Sequence, residues 1–183
     1  MDWNNTANST FTGPDIINLT DDGYAFDSNM CDYYTPDYRN CIPQPDTMQG
    51  VDAISDRLMF RLQYRNFITH ETLVTNHTVD SNGTDLAGIR WYEIRDPGGT
   101  PNVYQAGTYA PDSDHRWMGS AAMDGRGNIA VGYSVSSSTT YPSIRYAGRL
   151  TTDPPNTLGQ GEAEIIAGSG SQTSAAATSA SAL

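Results

Sequence analysis

"RWMGSAAMDGRGNIAVGYSVSSSTTYPSIRYAGR", Arg116 to Arg149, alternates its side chains at a period of two, reverses twice and carries no catalytic signature. Successive side chains of a strand leave opposite faces, so such alternation is what a half-covered sheet requires. The first reversal, "DGRGN" at Asp124–Asn128, has the Asp, Gly and Asn that a tight turn needs, because Gly and Asn take positive φ at little cost. The stretch therefore reads as three strands and two turns of one antiparallel unit.

Working outward from it, the same order of segments occurs twice. "DRLMFRLQYRNF" (Asp56–Phe67) lies over "HRWMGSAAMDGR" (His115–Arg126), with Arg57 on Arg116 and Met59 on Met118, an offset of 59. "LVTNHTV" (Leu73–Val79) lies over "IAVGYSV" (Ile129–Val135) at 56, and Ile89-Arg90-Trp91 over Ile144-Arg145-Tyr146 at 55. "VYQAGTY" and "AEIIAGS" close the two units. The connections "DSNGTD" (Asp80–Asp85) and "DPGGTP" (Asp96–Pro101) are again turn chemistry. Four antiparallel strands in each such repeat are one blade of a β-propeller. The expected fold is all-β: a partial β-propeller of about two four-stranded antiparallel blades plus the end of a preceding blade. "NSTFTGPDII" (Asn8–Ile17) resembles "NTLGQGEAEII" (Asn156–Ile166), which places the outer strand of a preceding blade in residues 1–20. An inter-blade loop containing the cysteines follows over 21–54, blade one over 55–110 and blade two over 111–168. Residues 169–183, "GSGSQTSAAATSASAL" with its neighbours, are a low-complexity tail. Two blades do not close a propeller, so the remainder is expected in a longer parent chain.

Composition narrows the partners. The 183 residues carry a net charge of -11 and a mean hydropathy of -0.52, and all ten basic residues are Arg. An acidic surface repels phosphate backbones, which argues against nucleic acid. No run reaches the roughly 18 apolar residues of a membrane span, and "MDWNNTANST" lacks the regions of a signal peptide. Cys31 and Cys41 lie ten positions apart in a Pro/Tyr/Asp-rich loop. They read as a disulfide, with free thiols as the alternative; closing a loop of that size stabilises a fold by about 2–3 kcal/mol. Disulfides belong to oxidising compartments, so the parent is expected outside the cell or on its surface. Two Cys without further ligands do not make a zinc site. No cofactor is expected, with Ca2+ at acidic turns such as "DSNGTD" as the remaining option, although EF-hand spacing is absent.

"DRLMFRLQYRNF", "ETLVTNHTV", "GIRWYEIRDPGG", "YAPDSDHRWMGSAAMDGRGNIAVGYSVSSSTTYPSIRYAGR" and "CIPQP" resemble large exported bacterial proteins with sialidase-like or BNR-like propeller repeats, a family with no assigned activity. The resemblance spans roughly Asp2 to Gly170. It implies a propeller and an exported parent, and no reaction. The sialidase Asp-box is only echoed in "AAMDGRGNIAV": Asp124 and Gly127 fit, whereas its Ser and Trp positions do not.

The expected function is a non-catalytic binding or scaffold module that recognises glycans or surface proteins; the alternative is a sialidase-like glycoside hydrolase acting on acidic glycans. For the latter, "APDSDHRW" between the units offers Asp112, Asp114 and His115 as acid and base and Arg116 as a carboxylate clamp. Arg57 and Arg116 recur at equivalent places, which favours an anchoring role, and a ring of inward Arg would itself attract an anionic ligand. His77 matches Tyr133 and reads as a packing residue. Arg90 and Arg145 beside Trp91 and Tyr146 read as cation–π packing. Glu71 and Glu93 would serve as a glycosidase pair only at a set separation, which the sequence does not give, and the reading is against it. No Gly-x-Ser-x-Gly elbow occurs, which argues against a serine nucleophile.

Overall fold

The computed structural model of the chain describes residues 4–10, 13–19, 30–32 and 39–173. The protein is all-β: two four-stranded antiparallel sheets, each a meander of neighbouring strands, neither closing on itself. Sheet one contains β1 (Gln63–Phe67), β2 (His70–Asp80), β3 (Ala87–Arg95) and β4 (Asn102–Tyr109). Sheet two contains β5 (His115–Met123), β6 (Ile129–Ser136), β7 (Ser143–Arg149) and β8 (Glu162–Ile166). Among the described residues no helix is long and apolar enough to cross a membrane.

The turns form for the reason read from their residues. At Asp124–Asn128 the Asp124 carboxylate accepts the amides of Arg126 and Asn128 at 2.7 and 3.0 Å, and Gly127 takes φ +87°. At Asp80–Asp85 the Asp80 carboxylate accepts the amides of Asn82, Gly83 and Asp85 at 2.9–3.1 Å. A short acidic side chain that fills its lone pairs with its own loop's N–H groups holds the reversal without help from elsewhere. The candidate calcium loop is thus a self-capped turn.

The repeat read from the sequence reappears in the strand ladders. Gln63 pairs with Val74 as Ala122 pairs with Ala130, which are offsets of 59 and 56; Asn76 pairs with Trp91 as Gly132 pairs with Tyr146, offsets of 56 and 55. The fourth strands do not follow. Trp91 lies opposite Gly107 and Tyr146 opposite Ala163, an offset of 56, not the 60 that the closing segments imply. Those segments share few residues, and the long β7–β8 loop, Leu150–Gly161, resets the register.

The start of unit one also differs. Residues 56–62 are not strand, and β1 begins at Gln63. Arg57 stands on an exposed bend with its Nε 2.9 Å from Asp56, whereas Arg116 is wholly buried in β5. Matching letters therefore fall in opposite surroundings. The expected outer strand in residues 1–20 is not formed among the described residues there, which hold only a short 3-10 turn at Thr6–Asn8. Most of the loop between 21 and 38, and residues 174–183 of the tail, lie outside the described residues.

The sheets pack through β5, which lies on β2 and β3. Gly119 makes this possible: a Cβ there would collide with the side chain of Asn76. Between the sheets Val74, Ile89 and Trp91 meet Ala121, Val131 and Tyr133 in one core, and Leu158 of the β7–β8 loop plugs its side. That loop is held to sheet one, because Asn156 Oδ1 accepts the amide of Ala106 at 3.1 Å. A second, smaller core of Met30, Ile42, Ala53, Ala87 and Trp117 surrounds the Cys31–Cys41 disulfide, whose Cα atoms are 5.6 Å apart. The disulfide fits an oxidising environment.

His77 is the packing residue that its match to Tyr133 implied. It is fully buried on the face of sheet one turned away from sheet two, with Nε2 3.0 Å from the Tyr92 hydroxyl and the two rings stacked. Burial, reinforced by the charge of Arg90, pushes the imidazole down to about 4. Its folded value lies below the unfolded 6.5, so the unfolded chain takes up the proton first. Its contribution is complete above pH 6.5 and is lost as pH falls toward 4, up to about 3 kcal/mol. Urea midpoints measured across that window are expected to fall with pH in the native protein and to flatten in His77→Phe. An equal slope in both proteins would contradict this.

Candidate functional site

The β4–β5 connection delivers the predicted residues to one end of the sheet interface. Arg116 enters β5 on the face turned toward sheet one, and β8 brings Glu162 to it from the far side of sheet two. The guanidinium has five N–H donors, and all five are used. Nε and Nη2 donate to Glu162 at 2.7 and 3.2 Å, Nη1 and Nη2 to Asp112 at 2.8 and 2.9 Å, and Nη1 to the Asp114 carbonyl at 2.8 Å. Arg145 adds a 2.8 Å bond to Glu162, which also accepts the Tyr133 hydroxyl at 2.9 Å. The Asp114 carboxylate accepts Thr140 Oγ1 at 3.1 Å and lies 3.8 Å from Arg145.

These bonds decide the charges. The Arg116 hydrogen bond comes first in holding the Asp112 carboxyl below the usual range, and it outweighs a partial burial that raises it. For Glu162 burial raises the value most, yet bonds from Arg116, Arg145 and Tyr133 together keep it lowered. Arg116 is itself held charged against its burial by Asp112 and Glu162. Carboxylates so firmly ionised do not supply a proton to a leaving group at neutral pH.

His115, adjacent in the strand, leaves by the opposite face. There its Nδ1 accepts the amide of Ala87 at 3.2 Å, and burial lowers its value in spite of the nearby carboxylates of Asp114 and Asp85. Asp112, Asp114 and Arg116 are thus brought together and His115 is not. Arg57 belongs to neither group. Glu71 and Glu93 point to opposite faces of sheet one: Glu71 bonds Tyr64 at 2.7 Å on one side, while Glu93, buried between the sheets, accepts from Arg95 at 2.8 Å and Gln105 at 2.5 Å.

At the other end of β5 the sheets part around a cavity of about 280 Å3. Its walls carry three arginines that sequence reasoning did not single out as ligand-binding. Arg95 is paired with Glu93, with its guanidinium 3.2 Å from the centre of the Tyr104 ring. Arg126 projects from the Asp124–Asn128 turn, and Arg149 closes β7, on the face turned toward sheet one. Arg149 is 5 % exposed, yet among the described residues its only side-chain hydrogen bond runs from Nη2 to the Asp153 carbonyl at 3.1 Å, and its buried Nε has no hydrogen-bond partner there. A signal for it was present: Arg145, Ala147 and Arg149 alternate onto one face, so a strand with Ala147 in the core must also turn two charges inward.

Among the described residues no three His, Cys, Asp or Glu side chains converge as metal ligands. Comparison with known proteins returns no match to a family model, a curated sequence or a solved structure.

Proposed function

We propose that the chain is a non-catalytic binding module of β-propeller type, similar to the sialidase-like or BNR-like repeats of exported proteins, and that it recognises a glycan or a surface protein outside the cell. The observation that carries this reading is the saturation of Arg116. The residues a sialidase-like hydrolase would draw on, Asp112, Asp114 and Arg116, are bound to one another and to Glu162, with no donor of Arg116 left for a substrate carboxylate. A clamp of this kind is a fastening between β5, β8 and the connection before β5.

The propeller reading is supported by what the repeat does with its faces. Ile89 and Trp91 are covered by sheet two, whereas their counterparts Ile144 and Tyr146 are 46 % and 45 % exposed on the corresponding face of sheet two. A further blade stacked there in the same manner buries them. The Cys31–Cys41 disulfide agrees with an exported parent.

The test is binding to immobilised glycans and to extracellular protein extracts, run beside turnover of chromogenic glycosides that include a sialoside. Binding without turnover is the expected result. Turnover that disappears in Asp114→Ala replaces this reading by the hydrolase; neither binding nor turnover removes it.

A further inference from the structure

We propose that the cavity between the far ends of the sheets is a binding site for a small oxyanion group, carboxylate, sulfate or phosphate, held by Arg149 and Arg126. The inference rests on the binding-module reading and names the ligand chemistry of that module. It starts from an asymmetry among the buried arginines. Arg116 is buried with five donors filled by two carboxylates and a carbonyl. Arg149 is nearly as buried, has one carbonyl, and forms no ion pair within 4 Å among the described residues. Withdrawing a guanidinium from water without a counter-charge is costly, and buried charges are ordinarily paired.

Two carboxylates line the same cavity. The Gln160 hydrogen bond does most to hold the Asp153 carboxyl below its usual range; Arg149 helps without bonding to it within 4 Å, and both carboxylates are occupied by other donors. Glu93 takes Arg95 and Gln105, and Asp153 accepts the amide of Leu150 at 2.8 Å and the side chain of Gln160 at 2.8–2.9 Å. Arg126 has no side-chain hydrogen bond or ion pair among the described residues, and it lines the same cavity. An oxyanion supplies what both lack: several acceptor lone pairs in a compact group that the planar fork of Arg bonds twice. The volume of about 280 Å3 admits a group the size of a single charged sugar. Phe67, with His70 stacked on it at 4.8 Å, and Tyr104 supply apolar and aromatic wall for its body.

The test is calorimetric titration of the intact chain, at low ionic strength, with glucuronate, glucose 6-sulfate and inorganic phosphate, and with glucose as the neutral control. Saturable binding of at least one oxyanion, none of glucose, and weakening on addition of salt are expected. Arg126→Gln changes an exposed turn residue and leaves the fold intact; it is expected to weaken binding about tenfold. Arg149→Met is expected to abolish it, and should that variant fail to fold, Arg126→Gln decides alone. Which probe binds best distinguishes a carboxylate from a sulfate or phosphate ligand. Absence of saturable binding to all three, or equal affinity in Arg126→Gln, overturns the proposal. A chain that captures neutral glycans or a protein without binding oxyanions leaves the module reading standing and removes this site; oxyanion binding here with no glycan or protein captured does the reverse.

Discussion

Arg116→Met is expected to lower the unfolding free energy by about 3–5 kcal/mol, seen as a large fall of the urea midpoint at pH 7. The size follows from what the substitution leaves behind. Glu162 keeps only 15 % of its side chain exposed, and losing Arg116 leaves Arg145 as its one cationic partner. Removing one member of a buried ion pair costs that much because the remaining charge stays out of water. Asp112, half exposed, can turn to solvent, so Asp112→Asn is expected to cost no more than about 1 kcal/mol. In the double variant Arg116→Met with Glu162→Gln the orphaned charge is gone, and part of the loss is recovered. The pH dependence has a definite sign. Asp112 and Glu162 have folded values below their ordinary 3.8 and 4.5, so their contribution is complete above those values and disappears as pH falls through the lowered ones. This acid window lies below that of His77, and Arg116→Met is expected to weaken it, since Asp112 loses its cationic partner and Glu162 keeps Arg145 and Tyr133. An unchanged midpoint for Arg116→Met would mean that the clamp is not what fastens β5 to β8.

Trp91→Ala is expected to cost about 3–5 kcal/mol, and Tyr146→Ala less than about 1 kcal/mol, although the two residues hold equivalent places in the repeat. Trp91 is 1 % exposed, in the core with Val131 and Tyr133; a Cβ on the facing Gly107 would meet its Nε1 at 3.1 Å. Truncation there leaves a cavity that the close approach of sheet two prevents from collapsing. Tyr146 is 45 % exposed and gives up little on truncation. The pair measures one thing, whether a sheet lies on the face, and urea unfolding of both variants reads it directly. Equal costs would mean that the face of sheet two bearing Tyr146 is covered in solution, by a second copy at high protein concentration or by another part of its own chain.

Much of the architecture was legible in the residues because it is local. Period-two alternation identifies strands whatever they pack against, and Asp80 and Asp124 make their turns from hydrogen bonds within a few residues. The offsets of 59, 56 and 55 were legible too, since antiparallel hairpins with short turns leave the register little freedom. Where the connection is long the reading slipped: Leu150–Gly161 is free to choose its own geometry, and the fourth strands pair differently from the sequence match.

The site was less legible, for a related reason. "APDSDHRW" announced acids, a base and a cation close together, but not that Arg116 would bond Asp112 of its own connection instead of a substrate carboxylate. What Arg116 does depends on Glu162, 46 residues further on, and no spacing within the motif encodes that partner. That Arg149 of β7 is buried with its Nε left without a hydrogen-bond partner among the described residues was not read from the sequence, because it depends on how the two sheets meet.

The sequence by itself determined the strands, their turns, most of their pairing and the pair of cysteines, because these follow from neighbours in the chain. The tertiary structure alone decided which of two equivalent faces is covered, which arginine is saturated and which is left with an open donor. Burial and charge pairing are set by the surfaces that meet across the sheet interface, and those surfaces come from residues far apart in the sequence.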